Sequence, residues 1–268
     1  MTPNPDALSG AWNFRDIAEE TGIRAGRFFR SSELSGLDES GRAALLGFGI
    51  TDVADLRSER EVERRGAGQV PDGIVIHRLP FHELAKPGAE APHDQSFQRM
   101  MTEKSDDEDV AVAAGRFMTE EYQNFPTLPG AHLAVQQVIS ILAAGRPVIT
   151  HCFAGKDRTG FGVALLLDAA GVDRDTVMAD YLQSNAAVPQ LRAQIMEMIR
   201  SRFDDGIPAE AEEFTEARLS DDVLGVRPEY LDAALDTVAQ DYGSVAGYLR
   251  AAEVTDEEID KLRTALRG

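Results

Sequence analysis

The chain has one cysteine, Cys152, in 268 residues. A single cysteine excludes an internal disulfide framework and any cysteine-rich metal site. The five histidines (His77, His82, His93, His132 and His151) are scattered, with no pair at a zinc-binding spacing. Positive charge is scarce: 27 Lys and Arg against 46 Asp and Glu give a formal net charge of −19. Such a surface opposes nonspecific binding to nucleic acid or anionic membranes, and it repels phosphorylated substrates at long range. No apolar run is long enough to span a bilayer, so no integral membrane segment is expected. The opening residues, MTPNPDALSGAWN, lack the basic stretch and apolar run of a secretory leader, and the expectation on that ground is a cytoplasmic enzyme. Apolar residues are not lacking: at 43% they supply a sizeable core for one large α/β domain or two small ones.

The lone cysteine sits in the most informative stretch, residues 147–162, PVITHCFAGKDRTGFG. A β-branched run, Val148, Ile149 and Thr150, leads into His151 and Cys152; an apolar stretch of helical character follows over 161–170. The order is strand, tight loop, helix. Such a loop points successive backbone N–H groups at one spot, and the helix start adds its own unpaired N–H groups and positive dipole end. That is a site for a phosphate dianion, and the same field favours a thiolate at the loop's origin. A thiolate there can attack phosphorus and form a phosphocysteine. Arg158 can grip two phosphate oxygens with its planar fork and stabilise the transition state. Gly155 permits the tight backbone. Lys156 is expected to place a second positive charge at the rim, Asp157 to protonate the leaving oxygen, and Thr159 to hydrogen-bond the departing thiolate. Phe153, Ala154, Gly155, Lys156 and Thr159 are thus the candidate substrate-binding residues, with His151 in support. The scheme calls for no metal and no cofactor. A lone buried cysteine is ordinarily an inert apolar residue, and an Arg six positions on recurs by chance. What outweighs that is the joint match of preceding strand, Gly155, Thr159 and following helix.

HCFAGKDRTG resembles the signature of cysteine-based protein tyrosine phosphatases, and more narrowly the atypical actinobacterial group with Lys-Asp-Arg in the loop. The resemblance extends through residues 10–16 (GAWNFRD), 29–34 (FRSSEL) and 51–58 (TDVADLRS), Tyr181-Leu182 and Tyr230-Leu231, and so covers nearly the whole chain. It implies a phosphatase with Cys152 as nucleophile, Arg158 as phosphate-binding residue and Asp157 as general acid. The group's substrates include phosphoinositides as well as phosphoproteins. The loop is also similar to that of a lipid phosphatase with Lys at the place of Lys156 but no Asp at the place of Asp157. Export by a route that a leader does not reveal is a further implication of the family.

Along the chain, residues 1–9 read as a disordered lead, followed by Trp12 and Phe14 as apolar anchors. Strands are expected near Phe28-Phe29, over 51–56 and over 73–81. A helix over 38–48 opens with Asp38 as cap and buries Leu45, Leu46 and Phe48. Arg57, at a strand end, either touches substrate or, as the favoured reading, holds the scaffold by pairing with Asp55 or Glu61. Residues 82–110 read as a long acidic loop, mobile in character, in which Glu83 and the Asp residues near 106–109 rival Asp157 as the acid. Asp157 is favoured because the loop fixes its distance to the phosphate. Helices follow over 115–125, 133–144, 173–185 and, without a break, 227–268. Residues 188–203 and 208–219 form a helical pair whose first member carries Leu191, Ile195, Met196, Met198, Ile199 and Phe203, more apolar surface than a solvent-facing helix needs. Packing on the core accounts for that surface; the resemblance implies instead a two-helix lid, an insertion over 186–220.

The expected fold is therefore a single α/β domain over 1–268 of the tyrosine phosphatase type, with a small, mostly parallel sheet flanked by helices and an inserted two-helix lid. The expected activity is hydrolysis of phosphotyrosine, extending to phosphoserine, phosphothreonine and phosphoinositides, through a phosphocysteine. The expected partners are phosphorylated proteins or peptides and phosphoinositides, with no nucleic acid. Two other classes compete. A rhodanese-type sulfurtransferase also uses a cysteine in an anion cradle, but the run from Lys156 to Thr159 argues against it. A phosphate-binding module without turnover would be expected to have lost the nucleophile, the Arg or the acid.

Overall fold

The computed structural model describes residues 7–82, 110–201 and 219–268. Among them, five strands form one sheet in the order β1-β2-β5-β3-β4: β1 Arg15–Asp16, β2 Phe28–Ser31, β3 Asp52–Asp55, β4 Val75–Arg78 and β5 Val148–His151. Only β1 runs antiparallel; β2, β5, β3 and β4 are parallel neighbours. The three central strands are apolar on both faces because successive side chains alternate in direction. Phe28, Ala54 and Val148 face one core with the Pro129–Ala143 and Asp157–Ala169 helices, while Phe29, Val53 and Ile149 face a second core with Leu34, Leu37 and Leu45. The strand leading to Cys152 is thus the centre of the sheet, covered on both sides.

The register decides where the site lies. Ser31 and Asp55 both pair with His151, so β2, β3 and β5 end level. The segments leaving them (Ser32-Glu33, Leu56-Arg57 and Cys152-Phe153) converge at the carboxyl edge, where ligands bind in open parallel sheets.

Local signals place several helix starts. Asp38, Asp173 and Thr255 cap their helices as N-cap residues with side chains accepting from backbone N–H groups. Other expectations need correction. Leu8 lies in the supposed disordered lead yet is fully buried, and Ser9 Oγ donates to Asp38 Oδ2 at 2.6 Å. Leu46 is 56% exposed, because the helix turns only Leu45 onto the sheet. The chain after residue 227 is three helices, Pro228–Tyr242, Val245–Ala251 and Asp256–Arg267; Gly243 (φ 77°) ends the first, and Ser244 and Thr255 cap the next two. Of the expected lid insertion, the Val188–Arg200 helix is described, whereas residues 202–218, with Phe203 and the expected second helix, lie outside the described residues. So do residues 83–109, nearly all of the acidic loop. No helix among the described residues is long and apolar enough to cross a membrane.

Candidate active site

Cys152 follows β5 directly and is 1% exposed, at the bottom of the loop that leads into the Asp157–Ala169 helix. The loop's carbonyls are each held from outside. His151 Nδ1 lies 3.1 Å from Cys152 O, Glu33 N–H donates to Phe153 O at 2.9 Å, and Asn13 Nδ2 donates to Ala154 O and Gly155 O at 3.1 and 3.0 Å. Buried Arg30 adds a bond from Nη2 to Gly155 O at 2.8 Å. With the carbonyls pinned outward, the intervening N–H groups are left for the concave side, which makes an anion nest. Gly155 is obligatory here: its φ is 68°, and a Cβ would lie 2.0 Å from Ser31 O.

The outer clamps are themselves braced. Asp180 holds Arg15 Nε at 2.8 Å and Arg30 Nη1 at 2.5 Å. Burial would raise the Asp180 carboxyl, but Arg15 and Arg30 outweigh it and hold the carboxyl below its ordinary value. His151 is fully buried, and burial lowers its pKa against the pull of Asp55, so the ring is neutral with Nδ1–H as donor to Cys152 O. Its Nε2 has no partner among the described residues.

Arg158 stands in the first turn of the helix after the loop. Its Nη1 and Nη2 donate to Glu61 Oε2 and Oε1, both at 2.7 Å. Burial works against the charged guanidinium, yet Glu61, then Cys152 and Asp157, raise its pKa above the ordinary value, so it is permanently cationic. A guanidinium has five N–H donors, so the Glu61 fork leaves others for an anion. Glu61 also closes a capping box with Ser58, accepting from Ser58 N–H at 2.8 Å. One carboxylate thus starts the Glu59–Arg65 helix and aims Arg158.

Asp157 Oδ1 accepts from Lys156 Nζ at 2.9 Å and from Tyr122 OH at 3.0 Å; Tyr181 OH donates in turn to Tyr122 OH at 2.7 Å. Burial, then the charge of Asp157, holds the Tyr122 hydroxyl well above its ordinary pKa, so it remains a donor. Asp157 Oδ2 accepts no hydrogen bond among the described residues. Lys156 is not the open rim charge expected of it. It is 6% exposed, and its ammonium is also bonded to Val223 O at 2.9 Å and Gly225 O at 3.1 Å, ties that fasten residues 223–225 to the loop. Thr159 is fully buried, and its Oγ1 has no partner among the described residues, Cys152 included.

Above the nest lies a cavity of about 240 Å³, lined by Cys152, Phe153, Ala154, Lys156, Asp157 and Arg158 at its base. Its walls are largely apolar: Phe117, Met118 and Phe125 on one side, Leu191, Ile195 and Met198 of the Val188–Arg200 helix on another. Glu61 and Glu121 add carboxylates. Arg57 does not line it. Fully buried, Arg57 donates to Asp55 Oδ2 and Glu33 Oε2, both at 2.8 Å, which matches the scaffold reading with Asp55; Glu61 pairs with Arg158 instead. Glu33 is the link from there to the loop: its N–H holds Phe153 O, and its carboxylate also takes Arg65, whose guanidinium carbon lies 4.5 Å from the Phe153 ring centroid. Glu83 lies outside the described residues. Reading the sequence set Phe117, Met118 and Tyr122 on one helix face bordering the pocket, but it passed over Asn13, Arg30 and Glu121 as site residues, because each comes to the site from a distant segment. Only Glu61 had a local signal, the S-x-x-E of a capping box, and that signal concerned the helix start alone.

A cysteine-bearing nest between a central parallel strand and a helix, with an Arg at the helix start, defines the class of cysteine-dependent phosphatases. The model of the tyrosine phosphatase family matches residues 7–268, and the chain belongs to that family. It is 56% identical to the triple specificity protein phosphatase PtpB of Mycobacterium tuberculosis, over 97% of this chain and 98% of that protein. A relative from Cupriavidus necator is 31% identical over 94% of this chain and 84% of its own length. A tyrosine-protein phosphatase of Nostoc commune is 26% identical over 98% of this chain and 81% of that protein.

Proposed function

We propose that this protein hydrolyses phosphate monoesters of phosphoproteins in two steps. In the first, Cys152 Sγ attacks phosphorus and the bond from phosphorus to the ester oxygen breaks, with Asp157 giving its proton to the leaving oxygen. In the second, water attacks the phosphocysteine, the S–P bond breaks, and Asp157 takes the proton from the water. The nest N–H groups and Arg158 hold the phosphoryl oxygens throughout. The observation that carries this reading is the outward pinning of the loop carbonyls around Cys152, with Arg158 aimed by Glu61 at the same cavity. Asp157 Oδ2 is the oxygen available to carry the proton, since Lys156 and Tyr122 occupy Oδ1. Asp157→Asn is expected to slow turnover of an ester with a poor leaving group by about 10²-fold, with little effect on an activated aryl phosphate. Equal rates for variant and parent on the poor leaving group would remove Asp157 from this role.

Phosphotyrosine is the first substrate class, because the walls above the nest are apolar and aromatic enough to receive a phenyl ring. The name of the M. tuberculosis relative supports extension to phosphoserine and phosphothreonine. Family resemblance supports phosphoinositides. Lys156 lends that extension little, since its ammonium already has three acceptors. The Val188–Arg200 helix would act as one half of a lid, its Leu191 and Met196 packed with Ala154 of the loop. The deciding experiment is phosphate release from matched phosphotyrosine, phosphoserine and phosphothreonine peptides and from phosphoinositide vesicles, with Cys152→Ser as blank. Cys152-dependent release from phosphotyrosine alone would mean a narrow, selective cleft; release across the panel would support the broad reading. No Cys152-dependent release from any of them would overturn the phosphatase reading in favour of a phosphate-binding module.

A further inference from the structure

Glu121 is a carboxyl group that the two-step scheme does not use. It lies on the Val110–Asn124 helix, one residue before the Tyr122 that holds Asp157, and it lines the same cavity as Cys152, Asp157 and Arg158. It is half-buried and makes no hydrogen bond or ion pair among the described residues. Its surroundings are those of an acid rather than of an ion. Phe117, Met118 and Phe125 flank it on the cavity wall. The Asp221–Leu224 segment, packed on the same helix, presents Val223 and Leu224 to the cavity, and its Asp222 pairs with Arg227. The Pro228–Tyr242 helix sets Tyr230 against Tyr122. From the loop, Arg158 attracts the charged form of Glu121, but Glu61 holds that guanidinium with both oxygens; Asp157 opposes the charged form, as does Glu120 on Glu121's own helix. Lys156, the other loop cation, is bonded to Asp157 and two carbonyls. His82 and Cys152 complete the titratable groups of the cavity among the described residues.

We propose that Glu121 is a specificity-determining wall of the substrate cavity, admitting a phosphate monoester dianion as the neutral acid and repelling it as the carboxylate. The inference rests on the phosphatase reading above. Burial pushes the Glu121 carboxyl up to about 7, with Arg158 pulling it down and Asp157 and Glu120 pushing it further up. A bound dianion adds one more like charge and raises it again, so binding takes up a proton. The neutral acid also offers an O–H donor to the ester or phosphoryl oxygens, which a carboxylate does not.

The test uses the full chain carrying Cys152→Ser, so that a phosphotyrosine peptide binds without turnover. Affinity is followed by calorimetry from pH 6 to pH 8, in pairs of buffers with different ionisation heats. With Glu121 present, affinity should fall about fivefold from pH 7 to pH 8, and about half a proton should be taken up near pH 7, as expected when an acid of that pKa must be neutral. Adding Glu121→Gln should remove both the fall and the uptake; the second ionisation of the phosphate is common to both proteins and cancels. An unchanged pH slope and proton uptake in the double variant would overturn the proposal. If the wild-type protein itself releases no phosphate in a Cys152-dependent way, the phosphatase reading falls and takes this one with it. Dependent release with an unchanged slope sinks this inference alone. Thermal unfolding checks the fold. The folded-state pKa of Glu121 is raised above the unfolded one, so its stability contribution is present below about 4.5 and lost as pH rises through about 7. Glu121→Gln should therefore melt higher than its parent at pH 8 and close to it at pH 4.5, and equal melting at pH 8 would mean that burial does not raise the Glu121 carboxyl above its unfolded value.

Discussion

Cys152→Ser is expected to cut phosphate release by at least about 10⁴-fold while phosphate-ester binding survives. The two halves of that expectation have separate causes. Turnover needs a nucleophile ionised at neutral pH, and a serine hydroxyl lacks the acidity of a thiol. Binding needs the nest N–H groups and Arg158, and none of the ties that shape them uses the Cys152 sulfur: they run from Glu33, Asn13 and Arg30 to the loop carbonyls and from Arg158 to Glu61. The replacement changes one atom in a site that is 1% exposed, so the loop has no reason to refold around it. Steady-state phosphate release and calorimetric titration with a phosphotyrosine peptide measure the two halves independently. A variant that keeps more than about 1% of the parental rate would place the nucleophile elsewhere, because removal of a covalent nucleophile ordinarily leaves far less.

Arg158→Ala is expected to lose on both counts, with turnover down by about 10³-fold and ester binding weakened as well. Among the described residues the guanidinium is the one cation of the cavity base with donors left for a phosphoryl group, since Lys156 spends its ammonium on Asp157, Val223 O and Gly225 O. Truncation also takes the guanidinium fork away from Glu61, a carboxylate at 16% exposure that lines the cavity, which adds repulsion to the loss of attraction. Lysine is not expected to rescue the site, because a point charge does not reproduce a fork that bonds Glu61 and phosphate together. Glu61→Gln separates aim from charge. It keeps the shape of the capping side chain but weakens the fork, so a fall of about tenfold in kcat/KM at unchanged fold is expected. A wild-type kcat/KM in Glu61→Gln would reduce Glu61 to a helix cap.

The sheet and the loop were legible because their signals are short-range. Three β-branched residues, a cysteine, a glycine three positions on and an Arg-Thr before an apolar helix specify the strand, the nest and the helix start within 16 residues. Asp38 likewise announced its helix as a cap. The misread positions share a different property. Leu8 looked like part of a disordered lead, and it is buried only because the second core, with Leu34, Leu37 and Leu45, closes over it. Lys156 looked like a free rim charge, and it is occupied because residues 223–225 return to the loop. Glu121 drew no reading at all, since nothing next to it in the chain reveals the cavity it lines.

The sequence by itself determined the reaction class of this protein. Cys152, Gly155, Asp157 and Arg158 lie within seven consecutive residues, and a strand-loop-helix turn can bring them together in only a few ways, so chemistry and local geometry travel together along the chain. Tertiary structure alone decided what holds and tunes them. Asn13 and Arg30 pin the loop carbonyls from 141 and 125 residues away, Glu61 aims Arg158 from 97, and Tyr122 holds Asp157 from 35. Such pairings depend on the sheet register and on which helix faces the cavity. Burial and local charge are properties of space rather than of spacing, and they make Arg57 a scaffold residue and Glu121 a proton-bearing wall.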